Sequence, residues 1–343
     1  MSDRPSPAMD LRAEMIEMIG GCWSTQVCGV AARFGVPEIL AAGPQDGAAV
    51  AAAIGCPAEP TRRLLRGMCS LGLAEQLDAS RFSLTAKGEL LRRDVPGSLN
   101  GLAMAWTSRS WDAWSKLEHG IRTGETTVPS GAEGFASMAY NPQAAAILNS
   151  SQASRTRAVA KETARVFDFS AFSDVMDVGG GYGTVLAEVL AANPHLTGAV
   201  VELPYLEQDT LAFLNDEGVS ARARFIGGSF FDAVPAGADC YILKSILHDW
   251  TDAQCATILK NVAAASKPGG TLLVIEQVLP DIATDDARDR SAFRTDLNML
   301  LSTGGLERTE QEFRQLFADA GFTLKRVIAN ESEFMLLKAQ RDR

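Results

Sequence analysis

The chain has 343 residues, enough for about two domains with sizeable cores, and its 46% apolar and 22% charged composition is that of a folding chain, not a disordered one. A net charge of −10 repels a polyanion over most of the surface, and six cysteines without a C-x-x-C pair, beside three histidines, argue against structural zinc. No apolar run approaches the ~18 residues of a membrane span, and the opening "MSDRPSPAMDLRAEM" carries acids and prolines where a secretory leader needs an apolar core, so a cytoplasmic protein is expected, with no membrane or nucleic-acid partner.

Residues 1–100 show helical patterns and one candidate hairpin, "GLAEQLDASRFSLTAKG", an order that predicts a winged-helix-like domain. Its recognition-like helix would be "PTRRLLRGMCSLG". Residues 60–93 hold 7 basic against 3 acidic side chains, but residues 1–95 hold 10 against 11. Leu64, Leu65, Met68 and Leu71 recur at helical spacing, which favours packing over DNA contact. The stretch "RAEMIEMIGGCWSTQVCGVAARFG" is apolar on more than one face: Met15, Ile16, Ile19, Trp23, Val27 and Val30 exceed one buried stripe. This domain is therefore expected to dimerise the chain with a second copy of itself.

Residues 101–165 read as a mostly helical connector lining a substrate cleft, broken near "GETTVPSGAEG". Trp106, Trp111 and Trp114 cluster there with Met104, while Met299 and Leu300 precede a later acidic motif. Such residues serve a core equally well. If Met104, Trp106, Trp111 and Met299 face a ligand, the pocket is broad, flat and apolar, suited to a fused aromatic ring.

Residues 166–343 alternate short apolar runs with amphipathic segments, as a mostly parallel sheet with crossover helices requires. Strands are expected at 174–178, 197–202, 223–227, 238–243 and 270–276, with helices at 184–192, 205–215 and 252–266. The ending "FTLKRVIANESEFMLLKAQ" reads as a hairpin that puts one antiparallel strand into the sheet. That is a Rossmann-like α/β arrangement of the methyltransferase type.

The stretch "VMDVGGGYGTVL" follows the first of these strands. A dinucleotide fingerprint needs glycine at 184 or 186, where Thr184 and Leu186 stand. The glycines fall instead at Gly179, Gly181 and Gly183, with Asp177 two residues before. A carboxylate beside bare backbone suits a ligand with a positive group better than a pyrophosphate, and S-adenosylmethionine is the cofactor expected. In "LKSILHDWTD", after the fourth strand, Lys244 and His248 would project toward the same ligand. Glu276 ends the fifth strand and Glu307 lies in "GGLERTEQEF"; either is a solvated acid or a partner that orients His248 and stabilises its protonated form.

In this order, D-x-G-G-G-x-G, an acid ending the next strand, G-G-x-x-F, L-K-x-x-L-H-D-W, a glutamate ending the fifth strand and G-G-x-E-R-T, the chain resembles the S-adenosylmethionine-dependent O-methyltransferases of the plant caffeate type and their bacterial small-molecule relatives. The resemblance spans nearly the whole chain. It implies a homodimer, no metal and a histidine base, His248, flanked by Glu276 and Glu307. It further implies that the glycines approach the methionine portion, Glu202 holds the ribose hydroxyls, Phe230 lies against the adenine and Lys244 helps hold the cofactor. One departure is Ser229, where the family commonly has an aspartate; a serine hydroxyl accepts from an adenine amine without charge. The expected reaction is methyl transfer to an aromatic hydroxyl of a phenazine- or polyketide-type metabolite. Rival readings are methylation of a ring nitrogen, a relative that has lost the base chemistry, a winged-helix regulator sensing S-adenosylmethionine or an aromatic effector, and a magnesium-dependent catechol enzyme using Asp249 and Asp252.

Overall fold

The computed structural model describes residues 7–129, 131, 134, 135 and 138–343, so part of the "GETTVPSGAEG" break lies outside the described residues. The chain divides into two compact units, Met1–Trp111 and Asp112–Arg343.

In the first unit, helices Pro7–Ile19, Gly21–Phe34, Val36–Ala41, Gly47–Ala53 and Ala58–Ser70 surround a small antiparallel sheet of β1 (Gln45–Asp46), β2 (Ala74–Gln76) and β3 (Arg81–Leu84), in the order β1-β3-β2. The expected hairpin forms because Asp78 closes its turn, accepting the N–H groups of Ser80 and Arg81 at 2.9 Å each. On Ala58–Ser70, Leu65 and Met68 are buried with Phe82, Val36 and Leu40, while Arg62, Arg63 and Arg66 are exposed. The apolar stripe of that helix thus goes to packing. The first two helices leave apolar side chains uncovered within this unit: Met15, Ile16, Ile19 (74% exposed) and Trp23 (76%), with Val27 and Val30 half-buried.

The second unit is built on a seven-stranded sheet. In chain order its strands are β4 (Asp174–Val178), β5 (Thr197–Glu202), β6 (Ala223–Gly227), β7 (Cys240–Lys244) and β8 (Thr271–Glu276), then β11 (Phe322–Ala329) and β12 (Met335–Arg341), after a separate two-stranded pair, β9 (Val278–Leu279) and β10 (Arg308–Thr309). The order across the sheet is β11-β12-β8-β7-β4-β5-β6. The pairs among β4 to β8 are parallel, and β12 runs antiparallel to both its neighbours. Side chains alternate along each strand to feed two cores: Tyr241 and Leu243 enter one with Trp250, Ile258 and Phe313, while Cys240 and Ile242 enter the other with Val175, Leu186 and Leu336.

Two boundaries differ from the sequence expectation by two residues, and the others agree within one. Strand β7 starts at Cys240, because Asp239 turns its carboxylate back to the Ser173 N–H at 2.8 Å. The helix expected from Tyr205 is preceded by a 3₁₀ turn at Pro204–Leu206 and begins at Glu207. Among the described residues, no helix is long and apolar enough to cross a membrane.

Candidate active site

The carboxyl ends of β4, β5 and β7 surround a cavity of about 350 Å³. Its lining includes Asp177, Gly179, Gly181, Glu202, Ser229, Phe230 and Lys244, so seven of the eight residues expected to hold the cofactor meet there. Gly183 is not in the lining. It caps the helix Thr184–Ala192, and a Cβ on it would stand 2.9 Å from Val200 Cγ2, so its smallness serves packing behind the loop. Gly179, Gly181 and Gly183 all have positive φ, the conformation that glycine adopts at least cost. A Cβ at Gly180, which also lines the cavity, would lie 2.6 Å from the Asp177 carboxylate carbon, which explains the glycine there.

Asp177 is buried, and among the described residues neither of its carboxylate oxygens has a hydrogen-bond partner at bonding geometry. Burial pushes its carboxyl up to about 7, against the pull of the Leu186 amide. An acid left unsatisfied on a cavity wall has oxygens free to meet a donor on a ligand. Glu202, also raised by burial, accepts the Leu203 N–H at 2.7 Å and the Gly181 N–H at 3.0 Å, which ties the end of β5 to the glycine loop. Burial, with Arg155 nearby, brings Lys244 down to about 8; its Nζ donates to Thr156 Oγ1 at 2.8 Å and sits 5.0 Å from the centre of the Phe334 ring. Ser229 Oγ accepts the Phe231 N–H at 3.2 Å. Phe230 and Phe231 meet Trp250 edge-to-face at 5.9 and 4.7 Å, and the buried Trp250 indole N–H has no partner among the described residues. The cavity therefore offers an acidic end and an aromatic end.

His248 lies on the 3₁₀ turn Leu247–Asp249 that follows β7. Its Nδ1 is 3.0 Å from Glu307 Oε1 and 3.4 Å from Glu276 Oε2, and its Nε2 is 3.8 Å from Asp249 Oδ1. The three residues expected to share chemistry are thus together and buried. Burial pulls the imidazole down, but Glu276, Glu307 and Asp249 outweigh it and lift it to about 10. Burial raises the Glu276 carboxyl to about 7 against the opposing pull of His248. The ligand atoms of His248, Glu276 and Glu307 lie within 4.8 Å of one another, also the spacing of a three-ligand cation site; a protonated Nδ1–H shared between two carboxylates accounts for the same arrangement.

The backbone builds this cluster in ways the residue types did not announce. Ser245, with φ 53°, is the one non-glycine residue of positive φ among the described residues. The bend it makes turns the N–H groups of Ile246 and Leu247 onto Glu276 Oε1, both at 2.9 Å, an anion-holding nest. Parallel pairing of Arg308 with Val278 brings Glu307 beside the end of β8. Gly305 packs on the His248 turn, where a Cβ would come within 2.0 Å of the His248 carbonyl oxygen. The "GGLERT" spacing signalled Glu307 but not the roles of Gly305 or Arg308.

The cavity is lined by residues of the second unit, and Met299, the one expected acceptor residue of that unit, is not among them. Met104 and Trp106 lie on the helix Asn100–Trp106 and Trp111 on Arg109–Trp114, all half-buried or exposed residues of the first unit. Met299 is buried on the helix Ala287–Ser302 of the second. Trp114, also of the second unit, donates its indole N–H to Asn298 Oδ1 at 2.9 Å.

A mostly parallel sheet with one reversed strand, a glycine loop under an unsatisfied acid and an imidazole between carboxylates at the same strand ends define a methyltransferase of small molecules. Residues 114–323 match the O-methyltransferase domain family and residues 16–94 the O-methyltransferase dimerisation domain. The chain is 38% identical over 317 residues to the O-demethylpuromycin-O-methyltransferase of Streptomyces alboniger, covering 91% of this chain and 84% of that one. It is 35% identical over 337 residues to the phenazine O-methyltransferase PhzM of Lysobacter antibioticus, covering 97% of each. A solved O-methyltransferase from neocarzinostatin biosynthesis, in complex with S-adenosylmethionine and 2-hydroxy-5-methyl naphthoic acid, superimposes with a TM-score of 0.78 at 30% identity, covering 93% of this chain and 96% of that one. The chain belongs to the O-methyltransferase family. It is an S-adenosylmethionine-dependent O-methyltransferase.

Proposed function

We propose that this enzyme methylates an aromatic hydroxyl of a fused-ring metabolite, of hydroxyphenazine or aromatic polyketide type, with His248 as the base. The observation that carries the proposal is the His248 imidazole held between two buried carboxylates at a strand end that also lines the cofactor cavity. A phenol of pKa about 10 gives its proton to an ordinary imidazole of about 6.5 only uphill. An imidazole lifted to about 10 matches the phenol, so the transfer is close to level. Glu307 and Glu276 hold the resulting imidazolium in place. The sulfonium of the bound cofactor supplies the activated methyl group.

In the same proposal Asp177, Gly179 and Gly181 receive the amino end of the cofactor, Glu202 its ribose, and Ser229 with Phe230 its adenine. Lys244 helps hold the cofactor, and Gly183 fixes the helix behind the loop. No metal takes part. Met104, Trp106, Trp111 and Met299 are proposed to contact the acceptor, and residues 101–165 to form the connector between a winged-helix-like domain of residues 1–100 and a catalytic domain of residues 166–343. Two relatives favour a fused-ring acceptor, one being a phenazine O-methyltransferase and another holding a naphthoic acid. The uncovered Ile16, Ile19 and Trp23 support a homodimer. All six cysteines are free, as in a reducing compartment such as the cytoplasm.

The test is a methyl-transfer screen with labelled S-adenosylmethionine, with and without a chelator, across fused-ring phenols, single-ring phenols and ring-nitrogen acceptors. Transfer to fused-ring phenols, unaffected by the chelator, is expected. Preference for single-ring or nitrogen acceptors would overturn the acceptor assignment.

A further inference from the structure

Arg308 is 1% exposed, although its carboxylate partner, Asp252, lies largely in solvent. Its Nε and Nη2 donate to Asp252 Oδ1 at 3.0 and 2.8 Å. Nη1 donates to the Leu247 carbonyl at 2.8 Å and the Leu306 carbonyl at 3.3 Å, and Nη2 donates to the Trp250 carbonyl at 2.8 Å. Leu247 and Trp250 bracket His248 and Asp249 in the chain, so one rigid guanidinium grips both ends of the turn that carries the imidazole. On the other side of its own backbone stands Glu307, whose carboxylate meets His248 Nδ1 and whose N–H donates to Asp296 Oδ1 at 2.9 Å.

A surface ion pair with Asp252 would need no burial, and burying an arginine is costly unless its donors are satisfied. Here the donors are spent mainly on carbonyls of the His248 turn and of the Glu307 loop. A planar fork is the side chain that spans such a set at once; a lysine is a point donor on a flexible stem.

We infer that Arg308 is a positioning residue, clasping the His248 turn to the Glu307 loop so that imidazole and carboxylate keep their contact. The inference deepens the proposal that His248 is the base and rests on it. The charged groups facing the imidazole are Glu276 from the end of β8, Glu307 from the clasped loop and Asp249 from its own turn, with Asp296 behind Glu307. Only the Glu307 contact depends directly on the clasp.

The experiment uses the three histidines. His119 and His195 are exposed and His248 is buried, so histidine-labelled full-length protein gives a His248 titration by NMR without any acceptor. Arg308→Lys keeps the charge and loses the fork. It is expected to lower the His248 titration midpoint by about one pH unit or more, toward an ordinary imidazole. Arg308 is not in the lining of the cofactor cavity, so calorimetry should find S-adenosylmethionine binding within about threefold of wild type. A role in fold stability alone would lower the melting temperature and leave the midpoint where it was. An unshifted His248 in a variant that still binds the cofactor overturns the inference. Should Arg308→Lys fail to bind it, Asp252→Asn at the exposed end of the clasp decides: a smaller shift of the same sign supports the inference, and none overturns it. Full turnover by His248→Ala would defeat the base assignment and leave the NMR result standing, so the two failures are distinguishable.

Discussion

An imidazole of about 10 is neutral in roughly one molecule in a thousand at pH 7, so the base proposed for His248 is scarce in the free enzyme at that pH. Raising the pH removes the proton from His248. With a phenol of pKa about 10 as acceptor, kcat/KM should therefore climb by close to tenfold per pH unit from pH 7 to 9. A stopped assay across that range checks it, and a flat profile would show that the carboxylates do not hold the proton. At this scale the sequence was legible where a residue type carries its own chemistry: His248, Glu276 and Glu307 could be picked out by type and order. Arg308 was not, because an arginine beside a glutamate reads as a solvated pair until its five hydrogen bonds to carbonyls and a carboxylate are seen. Ser245 was not, because a φ of 53° leaves no trace in a serine.

Elements set the distances on which those residues depend. Gly305 lets the loop before β10 lie against the His248 carbonyl, and an added methyl would have to displace one of the two backbones. Gly305→Ala should lower kcat at least tenfold and the melting temperature by a few degrees, with cofactor affinity within about threefold because the glycine lies outside that cavity. Wild-type kcat in this variant would contradict the placement of the turn. The main strands were readable within a residue or two, since each carries its own apolar run and each helix its own period. The pair β9 and β10 was not: two residues have no periodicity, and their pairing is decided by the loops on either side. That short pair brings Glu307 to Glu276, so the least legible element is the one that closes the site. Helix Glu310–Asp319, which follows β10, is started by a capping box of Thr309 and Glu312, with the Thr309 N–H 2.8 Å from Glu312 Oε2.

For the whole molecule, a stripe that covers no core of its own needs a partner surface. The exposed run of Met15, Ile16, Ile19 and Trp23 was readable as excess apolar surface, whereas a role in acceptor binding for Met104, Trp106, Trp111 and Met299 was not, because tryptophan and methionine at helical spacing look alike in a core and in a pocket. Light scattering at micromolar concentration should report a dimer for the wild type and a monomer for Trp23→Glu, and a monomeric wild type would refute the homodimer. The most direct measurement is single-turnover methyl transfer by His248→Ala at saturating labelled S-adenosylmethionine and a hydroxyphenazine acceptor. A loss of about 10²-fold or more, with cofactor affinity unchanged by calorimetry, is the expected result; wild-type transfer at neutral pH would contradict the assignment of His248 as the base.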